Sequence, residues 1–430
     1  MDQLILLQDS PGHRGEQLGN CQKALLKKRV AEFRALCDKL QLGPTDVPDR
    51  ARQITTTLNL VCQEWLAEAR AAAAAAQVPA ANLMAITYPP EKVQPTFLPK
   101  RANDSTAFGS ACSIAGTRAI FMRNCDGPDI VHHVLSQAAS PGSLAYVAIG
   151  EAGDIGIKAF ANEAGLAGTF HIGPPVDDYT LTAIQPSLVL RYLCERASSC
   201  AQVLTEFEAF QKRVGPGTPD KRGVCYLFAD SAGEVLLIEA SATRFHHYRA
   251  TDAFIIATNK FQLSSPTQSR LEPFREHCLR AHLGAAPLDF ERALAAARLD
   301  QRAGGEKGVC DVDTRASFIA ALGSGGKPTF ALVTLGSPLC NVALPLFPRV
   351  GVPLGLVDGS CYETAHKTVA PAGTRNEKRD AYDSALLQRL AGVSASTSDE
   401  ALVALVKESW ADARRFASET ASAKPAAATV

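Results

Sequence analysis

Ala-Cys-Ser-Ile-Ala-Gly-Thr-Arg-Ala-Ile-Phe-Met-Arg-Asn-Cys-Asp is the sequence of residues 111–126, and it decides how the rest of the chain is interpreted. Gly116-Thr117 favours a two-residue turn, so the flanking segments are predicted to pair as a β-hairpin with Cys112 opposite Phe121. Because side chains alternate along a strand, Arg123 is predicted on the Cys112 face, about 7–8 Å away on the diagonal. A guanidinium near a thiol stabilises the thiolate, the reactive form of cysteine.

Spacing alone leaves two interpretations of this hairpin open. In the first, Cys112 is a nucleophile supported by Arg123; in the second, Cys112 is a small core hydrophobe and Arg123 an ordinary hairpin charge. Asp126 needs a bulge or the end of the strand to turn toward Cys112. The hairpin therefore predicts a fold element, and its chemistry needs further support.

The overall composition excludes several classes of protein. The chain has 430 residues with 44 basic and 44 acidic side chains, and this balance argues against broad nucleic-acid binding. It contains no run of 18 apolar residues, so no membrane span is predicted. No basic segment precedes the apolar patch near the N-terminus, so no signal peptide is expected.

The cysteine pattern indicates the compartment and the absence of a metal site. Twelve cysteines are spread through apolar segments without a Cys-x-x-Cys pair, which is typical of reduced core thiols in a cytoplasmic protein. The adjacent pairs His132-His133 and His246-His247 are predicted not to chelate a metal, because neighbours on a strand point to opposite faces. We expect no metal and no other cofactor.

Periodicity divides the chain into segments of different character. Helices are predicted over residues 17–40, 50–77, 186–213, 270–283, 288–299, 315–322, 377–391 and 399–418. Short strands begin near Thr106, so the pattern favours a layered α+β fold over a doubly wound parallel sheet. The predicted segments are a helical N-terminal part (1–111), a core (112–350), a C-terminal helical part (351–418) and a disordered tail (419–430).

Six short motifs in a fixed order resemble one known family. The chain resembles the acyl-coenzyme A:6-aminopenicillanic acid acyltransferases, which are cysteine N-terminal-nucleophile hydrolases, and more distantly the conjugated bile acid hydrolases and penicillin V acylases. The resemblance extends from about residue 9 to about residue 348, and it is carried by Gly12-His13-Arg14-Gly15-Glu16-Gln17-Leu18-Gly19, by Cys112 with Arg123-Asn124-Cys125-Asp126, by Asn162-Glu163-Ala164-Gly165-Leu166-Ala167, by Ala257-Thr258-Asn259, by Ser269-Arg270 and by Thr334-Leu335-Gly336-Ser337-Pro338.

The resemblance implies a four-layer αββα core and a precursor that cuts itself between Ala111 and Cys112. Cys112 would then be both the nucleophile and the new N-terminus. Its α-amine, with an ordinary pKa of about 7.7–8, would be the base for its own thiol. The two fragments would be partners of one another, and a homo-oligomer is a further possibility.

The same resemblance assigns roles to the other motif residues. Asp126 would orient the α-amine and Arg123 would support the thiolate. Asn259 would donate its amide to the oxyanion of the tetrahedral intermediate. Arg270 matches a family arginine near the active site, with a structural role or a role in binding a substrate carboxylate.

Three positions depart from the family pattern. Ala111 stands where the penicillin acyltransferase has glycine, which weakens the case for self-cleavage. Phe170 falls where bile acid hydrolases place a polar oxyanion residue. Cys125 replaces an aromatic residue and is expected to be incidental. Phe170 and Asn162 are candidate substrate contacts, although Asn162 also fits a turn.

The predicted reaction is attack of Cys112 on a linear, non-peptide amide of a small molecule, through an acyl-thioester. Hydrolysis is favoured over acyl transfer to an amine, because the sequence shows no recognisable coenzyme A site. An uncut, non-catalytic binding protein is a second alternative. A thiol peptidase using His132 or His171 ranks last.

Overall fold

The structure is a computed structural model, and it describes most of the chain. The described residues are 3–87, 111–116, 119–126, 131–176, 178, 184–213, 222–251, 254–259, 261–263, 273–284, 288–300, 309–310, 314–366 and 376–422, with only the backbone described for 111–116, 273–274 and 421–422.

Two antiparallel sheets form the centre of a mixed helix and sheet fold. The strands are β1 Leu4–Ile5, β2 Ala111–Gly116, β3 Ile120–Asp126, β4 His132–Gln137, β5 Tyr146–Glu151, β6 Ala159–Asn162, β7 Leu166–Pro175, β8 Arg222–Asp230, β9 Val235–Ala240, β10 Phe245–Ala250, β11 Ile255–Ala257, β12 Thr314–Ala321, β13 Phe330–Leu335, β14 Leu344–Leu346 and β15 Val352–Pro353. One sheet has the order β10-β9-β8-β7-β6-β5-β4 and the other β11-β2-β3-β12-β13-β14, while β1 pairs with β15. The antiparallel ladders agree with the preference for a layered fold over a doubly wound one.

Helices surround the two sheets. Their bounds are α1 Pro11–Cys21, α2 Lys23–Lys39, α3 Asp46–Val61, α4 Gln63–Ala76, α5 Ala80–Thr87, α6 Pro186–Arg196, α7 Cys200–Arg213, α8 Pro273–Leu283, α9 Phe290–Ala297, α10 Leu354–Val357, α11 Ser360–Ala365, α12 Glu377–Ala391 and α13 Asp399–Ser422. None of the helices in the described part of the chain combines the length and apolar character needed to cross a bilayer.

Adjacent residues of β3 show what lies on either side of the six-stranded sheet. Arg123 donates to the Phe170 carbonyl of β7, in the seven-stranded sheet. Asn124 donates to the Ala297 carbonyl at the end of α9, 2.8 Å away. Because neighbouring side chains point to opposite faces, the six-stranded sheet lies between α9 and the seven-stranded sheet. Both faces are covered, so β3 is buried along its whole length.

The outer face of the seven-stranded sheet packs on helices. Phe170 and Tyr226 of this sheet belong to one buried cluster with Leu188 of α6 and Phe207 of α7. Trp65 of α4 belongs to the same cluster, so the N-terminal helices contribute to the core on this side.

A buried ion network joins the N-terminal helices to the core. The Arg191 guanidinium of α6 lies 2.7 Å from Glu68 of α4 and 2.8 Å from Glu195, and all three side chains are buried. Trp65 Nε1 donates to Glu195 over 3.2 Å. Removing one member of such a network leaves an uncompensated buried charge, so the network holds α4 against α6.

The glycines of the N-terminal motif have a packing role. A Cβ at Gly15 or Gly19 would collide with the main chain of α4 at Glu68 or Ala72. Their i, i+4 spacing places both glycines on one face of α1, so these glycines allow α1 and α4 to approach closely.

Several helix predictions need correction. The predicted helix 17–40 breaks at Gln22, whose buried side chain donates to the Val357 carbonyl and pairs with His133. Helix 50–77 breaks at Cys62, and helix 186–213 ends at Arg196 before α7 begins. The helix predicted over residues 315–322 is wrong, because residues 314–321 form strand β12 between β3 and β13. A short apolar run cannot be assigned by periodicity alone, and pairing on both sides decides it.

Candidate active site

Four neighbouring strands have an end at the same edge of the six-stranded sheet. β2 begins at Ala111, where β3 ends at Asp126 and β12 begins at Thr314. On the other side, β11 ends at Ala257, whose partner is Ser113. Asn259 follows two residues after Ala257, beyond the last pair of the β11 ladder. Because this ladder is antiparallel, Asn259 leaves β11 at the end of the sheet where β2 begins.

The hairpin prediction is confirmed, but its register is wrong. Cys112 pairs with Asn124, not with Phe121, because the loop between Gly116 and Ile120 is one residue longer than the predicted turn and shifts the pairing by an odd number of residues. After a shift by an odd number of residues, each residue of β2 shares a face with those residues of β3 that were predicted on the opposite face. The register therefore places position 112 on the face of Asn124 and Asp126, and Ser113 opposite Arg123.

Asp126 lies two residues beyond Asn124 and is the diagonal neighbour of position 112 on this face. Its carboxylate accepts a hydrogen bond from Thr314 Oγ1 at 2.7 Å and lies 2.8 Å from the Arg275 guanidinium of α8. Both side chains of the ion pair are almost completely buried. The buried Asp126 carboxylate therefore has both a hydrogen-bond donor and a cationic partner at the strand end.

Arg275 and Thr314 were not found by the sequence analysis. Arg275 lies in a helix that carries several other charged residues, and nothing in its spacing distinguishes it from an exposed arginine. Thr314 lies far from Asp126 along the chain. The pairing of β3 with β12 is the only signal that joins Thr314 to Asp126, and it exists only in the folded chain.

Arg123 points between the two sheets. Its guanidinium donates to the Lys158 carbonyl at 2.9 Å, to Thr169 Oγ1 and to the Phe170 carbonyl. Its Nε lies 3.1 Å from Cys125 Sγ. The arginine therefore joins β3 to the seven-stranded sheet, and the thiol next to it is that of Cys125.

Burial governs the chemistry of Cys125. It raises the pKa of the Cys125 thiol, and the charge of Arg123 only partly opposes that effect. A thiol that is buried and protonated is inert as a nucleophile.

Phe170 is a core residue of β7. Its ring packs on Tyr226 with the ring centroids 6.3 Å apart. The Arg123 guanidinium and the Lys158 ammonium lie 5.6 and 5.2 Å from the ring centroid. These distances are in the range of cation–π contacts, so the ring contributes to the environment of Arg123.

Asn259 lies on the side facing the seven-stranded sheet. Its Nδ2 donates to the Ile172 carbonyl of β7 at 2.8 Å, and its side chain is only partly buried. The amide is thus held against β7 of the seven-stranded sheet. The Cys112 side chain and the whole of Arg270 are outside the described residues.

Asn162 is fully buried and bonded to the main chain. Its Nδ2 donates to the carbonyls of Cys194 and Ala197, and its Oδ1 accepts from the Leu166 amide. These bonds join the turn after β6 to the end of α6. The described geometry thus gives Asn162 a structural role, while a contact with substrate stays a prediction.

We expect Asn162→Ala to lower the free energy of unfolding by about 1–3 kcal/mol, because buried main-chain groups lose their partners. The turnover number should stay unchanged. Urea unfolding, run beside steady-state kinetics, checks both. An unchanged free energy of unfolding together with a loss of turnover would instead place Asn162 in the substrate pocket.

The histidines considered as catalytic partners lie in the seven-stranded sheet. His132 on β4 lies 4.0 Å from Glu151 and packs on the ring of Tyr362. His171 follows Phe170 on β7, with Cys225 as its register partner. Across the described ranges, no group of three or more His, Cys, Asp or Glu side chains is arranged to hold a metal ion.

Comparisons of the sequence with family models and with curated proteins found no match. Comparison of the structure found distant similarities. A penicillin V acylase from Agrobacterium tumefaciens is 12% identical with a TM-score of 0.37, covering 61% of this chain and 89% of that one. A Caenorhabditis elegans orthologue of N-acylethanolamine-hydrolyzing acid amidase is 13% identical with a TM-score of 0.35, covering 49% and 92%. A conjugated bile acid hydrolase variant from Clostridium perfringens is 11% identical with a TM-score of 0.34, covering 55% and 92%.

Proposed function

We propose that the chain is a cysteine N-terminal-nucleophile amidohydrolase with a four-layer αββα core. In this proposal it cuts itself between Ala111 and Cys112 and then hydrolyses a linear, non-peptide amide. The observation that carries the proposal is the strand order β11-β2-β3-β12. In that order, the 111–112 peptide bond, Asp126 at the end of β3, and the end of β11, two residues before Asn259, share one edge of the six-stranded sheet.

Self-cleavage supplies the base. Breaking the 111–112 bond leaves a free α-amine on Cys112, and an amine with a pKa of about 7.7–8 can take the proton of the thiol. Asp126, held by Thr314 and Arg275, lies diagonally across from this position and orients the amine by accepting its N–H.

Cleavage also frees the nucleophile to move. Once residue 111 is released, Cys112 is covalently attached only through its carboxyl side. Rotation about its Cα–C bond can then carry the thiol from the Asn124 face toward Asn259. Arg123 lies between the sheets, so its positive charge stabilises the thiolate on that side. Arg270 is proposed to bind a carboxylate of the substrate.

The reaction then follows the chemistry of a covalent thioester. The thiolate attacks the carbonyl carbon, and Asn259 donates to the oxygen that becomes negative. The C–N bond breaks, and the amine leaves with the proton held by the α-ammonium. Water gives one proton to the α-amine and its oxygen adds to the thioester carbon; the C–S bond then breaks, which releases the carboxylic acid and regenerates the Cys112 thiolate. An amine in place of that water would give acyl transfer.

We expect Asn259→Ala to lower the turnover number by about 10²–10³-fold, since one oxyanion donor contributes this much in comparable sites. Hydrolysis of p-nitroanilides of straight-chain and aryl-substituted carboxylic acids, followed by release of p-nitroaniline, measures the change. Asn376→Ala is the matched control, because the Asn376 side chain serves as the N-cap of α12 and accepts from the Arg379 amide.

An unchanged turnover number in Asn259→Ala would remove Asn259 from the mechanism. Turnover that survives this change but is lost on replacing His132 or His171 would instead support the peptidase alternative.

A further inference from the structure

The loop that follows β11 carries Asn259 and is fastened to the seven-stranded sheet. We propose that Glu239, on β9, is a positioning residue that clamps this loop and so fixes the Asn259 amide at the oxyanion position. The inference rests on the proposed function, and it adds a residue that no motif in the chain points to.

The Glu239 carboxylate binds the loop through both of its oxygens. One oxygen accepts a hydrogen bond from the Gln262 amide, and the other accepts from the Leu263 amide at 2.9 Å. Glu239 is only 1% exposed, so these bonds are shielded from water. Hydrogen bonds to an ionised acceptor are about twice as strong as neutral ones.

The Gln262 side chain binds the loop back to β11. Its Nε2 donates to the Ile256 carbonyl of β11 at 2.8 Å. Gln262 therefore links β11, which precedes Asn259 in the chain, to the carboxylate of Glu239. Asn259 lies within the short segment that these bonds enclose.

Phe261 provides an apolar contact for the same loop. A Cβ placed on Gly173 of β7 would lie 2.8 Å from Phe261 Cε1, and one placed on Gly223 of β8 would overlap the ring. The two glycines thus leave a notch that the Phe261 ring fills, and the ring is 9% exposed. The loop is anchored at Asn259, at Phe261 and at Gln262–Leu263.

Position matters here because an oxyanion donor acts only within hydrogen-bond distance of the oxygen it stabilises. A misplacement of about 1 Å can cost about 10²-fold in rate. In Glu239→Gln, one carboxylate oxygen becomes an NH₂ group, and that group faces a main-chain N–H. One of the two loop bonds is lost, and the loop moves.

The experiment measures acylation of Cys112 by p-nitrophenyl butyrate, which passes through the same kind of tetrahedral intermediate. Release of p-nitrophenol gives the rate, and intact mass confirms the adduct on Cys112. We expect Glu239→Gln to lower the acylation rate by about 10–100-fold with little change in half-saturating ester concentration. Glu239→Asp should restore part of the rate. Glu234→Gln is the matched control, since Glu234 pairs with Arg249 and does not bind the loop.

A second pair of variants tests the notch. Gly223→Ala should displace Phe261 and slow acylation in the same way, whereas Gly12→Ala, which meets open space, should not.

The decisive measurement combines Glu239→Gln with Asn259→Ala. If Glu239 acts through Asn259, its replacement has no further effect once the Asn259 amide is gone. A full additional loss in the double variant, or an unchanged rate in Glu239→Gln alone, would overturn the positioning role while Cys112 chemistry stands. A wild-type chain that is never acylated at Cys112 would overturn the proposed function itself.

Discussion

Replacing Cys112 with alanine should leave the protein as a single chain of 430 residues and abolish turnover. The wild type should instead yield fragments of 111 and 319 residues, the products of a cut between Ala111 and Cys112. Removing a nucleophile that acts with its base as one unit costs on the order of 10⁶-fold in turnover number. Intact-mass spectrometry and p-nitroanilide hydrolysis measure the two effects.

Cys21→Ala is the control for general thiol effects, because Cys21 is a partly buried thiol in α1. It should be cut and should turn over as the wild type does. Cys112→Ser separates cleavage from turnover, since a hydroxyl can attack the preceding carbonyl yet is a poorer nucleophile than a thiolate. Unchanged turnover in both Cys112 variants would remove this residue from the mechanism. A wild type that stays uncut and forms no acyl adduct would support the alternative of a binding protein.

Breaking the buried Asp126–Arg275 pair should give the largest loss of stability. We expect Arg275→Ala to lower the free energy of unfolding by about 3–5 kcal/mol, because it leaves the Asp126 carboxylate buried without its cation. The pair is 2.8 Å apart and almost wholly shielded from solvent. Urea unfolding in the Cys112→Ala background measures the change, since every variant then stays one polypeptide.

Arg280→Ala is the matched control on the same helix. Arg280 pairs with Glu276 at 2.9 Å, but its side chain is half exposed, so its loss should cost about 0–1 kcal/mol. Replacing both charges, as Asp126→Asn with Arg275→Met, should recover much of the stability. Equal losses in Arg275→Ala and Arg280→Ala would show that the buried pair does not hold the end of β3.

The hairpin shows how far local sequence reaches. Alternation and the Gly116-Thr117 pair were enough to predict that residues 111–126 form two paired strands, and the pairing is observed. They could not decide the length of the connection, because turns of two and three residues are both common between strands. That one residue decides whether Arg123 or Asp126 shares the face of Cys112.

The prediction of a helix over residues 315–322, where the structure has strand β12, was wrong for the same kind of reason. The segment 314–321 is rich in alanine, which favours a helix when no neighbour is present. In the folded chain it lies between β3 and β13 and is buried along almost its whole length. Pairing on both edges outweighs a propensity that is small for each residue.

By itself, the sequence determined that this is an electrically neutral chain with a cysteine near the start of a hairpin strand and an asparagine motif downstream. Only the tertiary structure decided that β11, which precedes Asn259, pairs with the strand of that cysteine, that Arg275 pairs with Asp126, and that Glu239 binds the loop after β11. The reason is physical: composition and alternation act between near neighbours, whereas these contacts form between distant segments when both sheets are buried together.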